Sequence, residues 1–152
     1  MNHQLIKILL IEDNLADARL VQELLSDYYL DFQIIHAQRL SEAKSLLNEA
    51  PFDVILLDLS LPDSHGLQSL DEIMKHAPDT PVVVMTGTDD HELAMLALKK
   101  GAQDYLAKGK YDENLLGRSV QYAIERHRLR MQNTQFASDL HHSEVRFSRL
   151  IE

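Results

Sequence analysis

The chain has 152 residues, no cysteine and a formal charge of -9 at pH 7. The absent thiols exclude disulfide scaffolds and thiolate metal sites, and the charge argues against direct binding to nucleic acid or to an anionic membrane. Length and a hydrophobic fraction of 45% suit one globular domain with its own core and some chain to spare.

The acidity is uneven. Residues 1–108 hold 8 Lys and Arg against 18 Asp and Glu, and residues 109–152 hold 7 against 6. The N-terminal apolar run is too short for a signal peptide, and no segment nears the roughly 20 apolar residues of a membrane span. No membrane insertion and a cytoplasmic location are expected.

Short apolar runs alternate with segments of helical period. "IKILLI" (6–11) reads as a strand and "LADARLVQELLSDYY" (15–29) as an amphipathic helix with Leu20, Val21 and Leu24 on its inner side. "FQIIHA" (32–37) is a second strand, and "SEAKSLLNEA" (41–50) a helix with Ser41 as its N-cap. "DVILLDL" (53–59) is the third strand, and the Pro/Gly loop "LPDSHG" leads to a helix over 67–77. "PVVVMTG" (81–87) is the fourth strand, followed by a helix near 89–100 that ends at Gly101. "AQDYLA" (102–107) is the fifth strand, and a last helix starts near Asp112. Strict alternation with continuous apolar strands predicts a parallel sheet covered by helices on both faces.

The last helix meets no breaker after Gly117. Leu116, Val120, Ile124 and Met131 form a stripe able to cover the sheet, while Leu115, Tyr122, Leu129 and Phe136 recur every seven residues. That seam predicts a homodimer through the C-terminal helix; the alternative is a solvated helical tail.

One position in the third strand raises a chemical question. Four apolar residues, 54–57, run straight into Asp58, and a dehydrated carboxylate is costly without a partner. In an open parallel sheet the strand C-termini gather along one edge, where ligands bind. That edge collects Glu12 and Asp13 after strand 1, Asp58 in strand 3, Thr86 after strand 4 and Lys108 after strand 5. Clustered carboxylates call for a cation, and an all-oxygen set favours a hard ion such as Mg²⁺ over zinc. Taken alone, Glu12–Asp13 could instead serve the dipole of the first helix.

From residue 5 to about 128 this pattern resembles the receiver domain of two-component response regulators. The likeness is carried by Glu12–Asp13, Asp58, Pro62 and Gly66 at four and eight positions beyond it, Thr86, and "DYLAK" ending in Lys108. The resemblance implies a doubly wound, flavodoxin-like α/β fold with five parallel strands in the order 2-1-3-4-5 and an extended C-terminal helix. It implies a phosphoacceptor at Asp58, served by a histidine kinase or a histidine phosphotransfer protein, with Asp58, Thr86 and Lys108 as the catalytic set. Mg²⁺ would be held by Asp13, Asp58 and the backbone carbonyl of Ser60, with Glu12 acting through water. Thr86 and Tyr105 match the switch pair.

The domain itself is then no enzyme beyond promoting its own phosphorylation and dephosphorylation, and any enzymatic output lies in another domain. One residue departs from the pattern: Gly109 stands where the family usually has Pro after the Lys, so the turn is expected to be trans or unusually flexible. Residues 1–128 are expected to form the receiver domain and 129–142 a helical linker. The final "SEVRFSRLIE" resembles the opening helix of a PAS domain starting at 143.

Other chemistry fits less well. A Mg²⁺-dependent phosphohydrolase of the haloacid-dehalogenase type needs a second Asp two residues after its nucleophile, where this chain has Ser60, and a Toprim-like nuclease needs the same Asp-x-Asp pair. His91–Glu92 lacks the basic residue and Pro of a kinase phosphoacceptor helix. A receiver-like interaction module that is never phosphorylated is the remaining alternative.

Overall fold

The structure, a computed structural model, describes residues 5–87 and 90–151, apart from the side chains of His65 and of residues 134–151. Twelve elements follow in order: β1 (Ile6–Ile11), α1 (Leu15–Ser26), β2 (Phe32–Ala37), α2 (Leu40–Glu49), β3 (Val54–Asp58), β4 (Ser60–Leu61), β5 (Ser64–His65), α3 (Gly66–His76), β6 (Val82–Thr86), α4 (His91–Lys100), β7 (Asp104–Ala107) and α5 (Glu113–Ile151). The five long strands form one sheet in the order β2-β1-β3-β6-β7, with every pairing parallel. Counted without the small β4–β5 hairpin, that is the expected order 2-1-3-4-5.

Alternation along the strands builds two cores. Ile8 and Leu10 of β1 and Val54 and Leu56 of β3 pack with Val83, Met85 and Leu106 under α1 and α5. Leu9, Ile11, Ile55 and Leu57 pack with Val82 and Val84 under α2, α3 and α4. Dehydrated on both faces, these strands must be apolar throughout, which is why they appear as unbroken runs.

Several local expectations give way to longer-range contacts. The inner face of α1 is Ala18, Val21 and Leu25, whereas Leu20 is exposed. The N-cap position of α2 is Arg39, without a side-chain cap; Asp63, from the tip of the β4–β5 hairpin, accepts hydrogen bonds from the amides of Leu40 at 2.9 Å and Ser41 at 3.1 Å. Ser41 is thus a capped residue and not the cap. Desolvation alone would raise the Asp63 carboxyl, but hydrogen bonds, those from the Leu40 and Ser41 amides foremost, together outweigh it and hold the group below its usual range. Gly66, at φ +55°, closes the hairpin through its amide to the Leu59 carbonyl at 2.8 Å, in a backbone region that suits glycine.

Helix α5 starts where Asp112 Oδ1 accepts from the Leu115 amide at 2.8 Å. Leu116, Val120 and Ala123 are buried against the sheet. A Cβ on Gly117 would lie 2.3–2.5 Å from three atoms of the Tyr28 ring, so the glycine admits the close approach of that ring, just past the end of α1, to α5. Beyond residue 127 every described side chain is exposed, including Met131, which does not continue the sheet-covering stripe. The helix nevertheless runs on to Ile151. Of the seven-residue seam, Leu115, Tyr122 and Leu129 are exposed, and Phe136 lies outside the described side chains. Among the described residues no helix is long and apolar enough to cross a membrane.

Candidate functional site

The register of β1 on β3 sets Ile11 beside Leu57, so Glu12 and Asp58 are neighbours at the sheet's C-terminal edge. Both continue the alternation of the α1/α5 face, Glu12 after Ile8 and Leu10, Asp58 after Val54 and Leu56. Lys108 continues the same face two residues beyond Leu106, and its amide is fixed to the Thr86 carbonyl at 2.8 Å. Three strands thereby deliver two carboxylates and one ammonium to a single point.

The contacts there are short. Lys108 Nζ lies 2.7 Å from Glu12 Oε1, 3.1 Å from Asp58 Oδ2 and 3.2 Å from Asp17 Oδ2. Asp58 Oδ1 accepts from the Ser60 amide at 3.0 Å. Glu12 and Asp58 are buried, while Asp13 at the loop surface is exposed. The Glu12 backbone is pinned by its amide to the Ala37 carbonyl at 2.9 Å and by His36 Nε2, 2.6 Å from its own carbonyl oxygen. Asn14 caps α1, its Oδ1 accepting from the Asp17 amide at 3.1 Å, while its own amide donates to Glu12 Oε2 at 3.3 Å.

Burial dominates the electrostatics. Desolvation, reinforced by the adjacent Asp58 carboxylate and only partly offset by Lys108, pushes the Glu12 carboxyl up to about 8. Desolvation alone would lower the Lys108 ammonium, but the adjacent Glu12 and Asp58 carboxyl groups outweigh this and hold it well above its usual value. Lys108 therefore stays charged at neutral pH.

One carboxylate oxygen each from Glu12, Asp13 and Asp58 lie within 4.8 Å of one another. Glu12 Oε1 is buried and has no aligned hydrogen-bond donor, despite the nearby ammonium. An unmet buried acceptor within an all-oxygen, carboxylate-rich set fits a hard divalent cation. A cavity of about 330 Å³, lined in part by Leu5, Tyr29, Asp53, Ile124 and Arg128, opens at the other end of the sheet and includes none of these ligand atoms.

Thr86 ends β6 and is buried. Tyr105 pairs with Val84 in the neighbouring strand and packs half-buried in the α2–α4 core, its ring 6.2 Å from that of His91. It faces away from Lys108 because the two are an odd number of positions apart. The Lys108–Gly109 peptide is trans, and Gly109 turns the chain at φ +80° with nothing within 4 Å of a Cβ placed there. Glycine's left-handed conformation thus makes the turn without a cis bond. Asp17 is the contributor that sequence reading missed; in the first turn of a helix it looks like an ordinary partner for the dipole.

The sequence matches the family described as the response regulator receiver domain over residues 8–120. It is 38% identical over 112 residues to the transcriptional regulatory protein CiaR of Streptococcus pneumoniae, covering 73% of this chain and 48% of that protein. The chain therefore spans about half the length of that relative. A response regulator receiver domain protein from Clostridium thermocellum superposes with a TM-score of 0.72 at 30% identity, over 82% of this chain and 98% of that one. The Mn²⁺-bound form of response regulator Rcp1 gives 0.63 at 30% identity, over 76% and 90%. Built on the same five-stranded fold and matched over most of its length, the chain belongs to the response regulator receiver domain family.

Proposed function

We propose that Asp58 is the phosphoacceptor and that the domain relays its phosphorylation to an output domain in the same protein. The observation that carries this is a buried carboxylate at the end of β3 whose Oδ2 takes a hydrogen bond from Lys108 at 3.1 Å, beside Glu12 and Asp13. The attack sets an anion on an anion, so charge neutralisation matters more than proton transfer. Lys108 supplies one positive charge, kept in place by the carboxylates around it. The Ser60 amide orients the nucleophile through Oδ1.

Asp13, Asp58 and the Ser60 carbonyl, with Glu12 through water, would hold Mg²⁺; the Mn²⁺-bound form of Rcp1 supports a divalent ion in this fold. When bound, the ion neutralises phosphoryl oxygens as a Lewis acid. Thr86 contributes its hydroxyl to the phosphoryl group, and Tyr105 reports that engagement to the α4 side of the sheet.

The donor is the phosphohistidine of a histidine kinase or phosphotransfer protein, and the protein works in the cytoplasm. Residues 1–128 form the receiver, 129–142 a helical linker, and a PAS-like domain begins near 143. The exposed Leu115, Tyr122 and Leu129 support self-association along α5.

Acetyl phosphate with Mg²⁺ is expected to add one phosphoryl group, read by intact mass, and Asp58→Asn to abolish it. Undiminished labelling of the variant would overturn the assignment.

A further inference from the structure

An ammonium carries three donor hydrogens, and Lys108 is surrounded by three carboxylates. Alignment among them does not follow burial. Asp58 and Asp17 each receive a hydrogen bond, at 3.1 Å and 3.2 Å. Glu12 Oε1 sits closer, at 2.7 Å, yet has no aligned donor. The Asp17 side chain is 37% exposed, against 1% for Glu12 and 3% for Asp58. Asp17 is thus the most solvated of the three and still takes one of the ammonium's hydrogen bonds. Asp17 is held to this task by the first turn of α1, where Asn14 caps its amide.

We infer that Asp17 is a positioning residue: it tethers the Lys108 ammonium toward α1 and restrains phosphorylation of Asp58 by competing with the incoming phosphoryl oxygen for Lys108. The inference rests on the assignment of Asp58 as phosphoacceptor. In the transfer an Asp58 oxygen bonds to phosphorus as the bond from phosphorus to the leaving group breaks. With acetyl phosphate the electron pair departs on acetate, and no proton has to move. A phosphoryl oxygen then requires one of the Lys108 hydrogens. The contact to Asp17 is the one given up most readily, because its carboxylate is the most solvated of the three. An interaction present before transfer and lost in the transition state slows the reaction.

The test uses Asp17→Asn, which keeps the shape and removes the charge. Phosphorylation by acetyl phosphate with Mg²⁺ is expected to run about two- to fivefold faster than in the wild type, the size of a partly exposed ion pair. The gain should persist at about 0.5 M salt, where repulsion of the donor by a distant charge is screened. A second readout is the Lys108 side-chain ammonium signal by NMR. It should differ between the two unphosphorylated proteins and converge once both are phosphorylated, because Asp17 has by then been displaced in the wild type. Equal rates, a gain that vanishes in salt, or ammonium signals that remain apart after phosphorylation would overturn the inference while leaving Asp58 in place. Failure of the wild type to take label at Asp58 would overturn the phosphoacceptor assignment itself, and the inference with it.

Discussion

Glu12 makes the metal-free domain a proton sink, and its stability should show it. The carboxyl moves from 4.5 to about 8 on folding, driven first by burial and then by Asp58. Between those values the folded protein binds more protons than the unfolded chain. Stability must therefore fall as pH rises through that window, opposite to the trend for a carboxylate in a simple salt bridge. Each step of one pH unit inside the window removes about 1.4 kcal/mol, so the loss between pH 5 and 8 is on the order of 4 kcal/mol for this single group.

Urea unfolding followed by far-ultraviolet circular dichroism, with chelator present, measures it. The comparison that isolates Glu12 from every other ionisable group is Glu12→Gln, which retains the shape and cannot ionise. The two proteins should have similar stability near pH 5, and the variant should lead by several kcal/mol at pH 8. Parallel stability curves across this range would refute the reasoning, because they would mean that Glu12 is as easily ionised folded as unfolded.

Millimolar Mg²⁺ should raise the melting temperature by binding the native state alone, and Asp13→Asn should remove most of that rise; an equal response in both proteins would place the ion elsewhere. Gly117→Ala should destabilise the fold by about 1–2 kcal/mol in urea, since overpacking against the Tyr28 ring outweighs the better helix propensity of alanine. Sedimentation should show concentration-dependent dimers for the wild type and monomers for Tyr122→Asp with Leu129→Asp, whereas a monomeric wild type with or without phosphorylation would exclude the α5 contact.

How much of this could be read in the residues depends on the range of the forces involved. β1 and β2 begin and end where expected; in β1 the residues from Ile8 on are dehydrated on both faces and leave little choice of type, while β2, at the sheet edge, admits Gln33 and His36. The sheet order and the gathering of Glu12, Asp13, Asp58 and Lys108 followed from topology and motif together. The inner face of α1 was harder, since Ala18 is a small residue that a count of large side chains overlooks. The cap on α2 was out of reach. Asp63 is 22 positions from Ser41, and only the β4–β5 hairpin, two residues per strand, brings it there. Asp17 was hidden for a different reason: acids in the first turn of a helix are common, and only the reach of Lys108 across the edge distinguishes this one.

The placement of a charge at the end of the most apolar strand has a physical logic. Two residues earlier on the same face is Leu56, fully enclosed by the α1/α5 core. A carboxylate there would be desolvated among aliphatic side chains. Two residues later is Ser60, exposed to solvent, where a carboxylate would be hydrated and a weaker nucleophile toward an anionic donor. Position 58 lies between these limits, nearly dehydrated yet within 3.1 Å of an ammonium and beside two further carboxylates. Thr86 continues the alternation of Val84 toward the α2–α4 core, where Tyr105 packs. A hydroxyl drawn toward a phosphoryl group on Asp58 would therefore act on the face opposite to Lys108. On the proposed assignment, chemistry on the α1/α5 side and its readout on the α4 side would be separated by the thickness of one sheet.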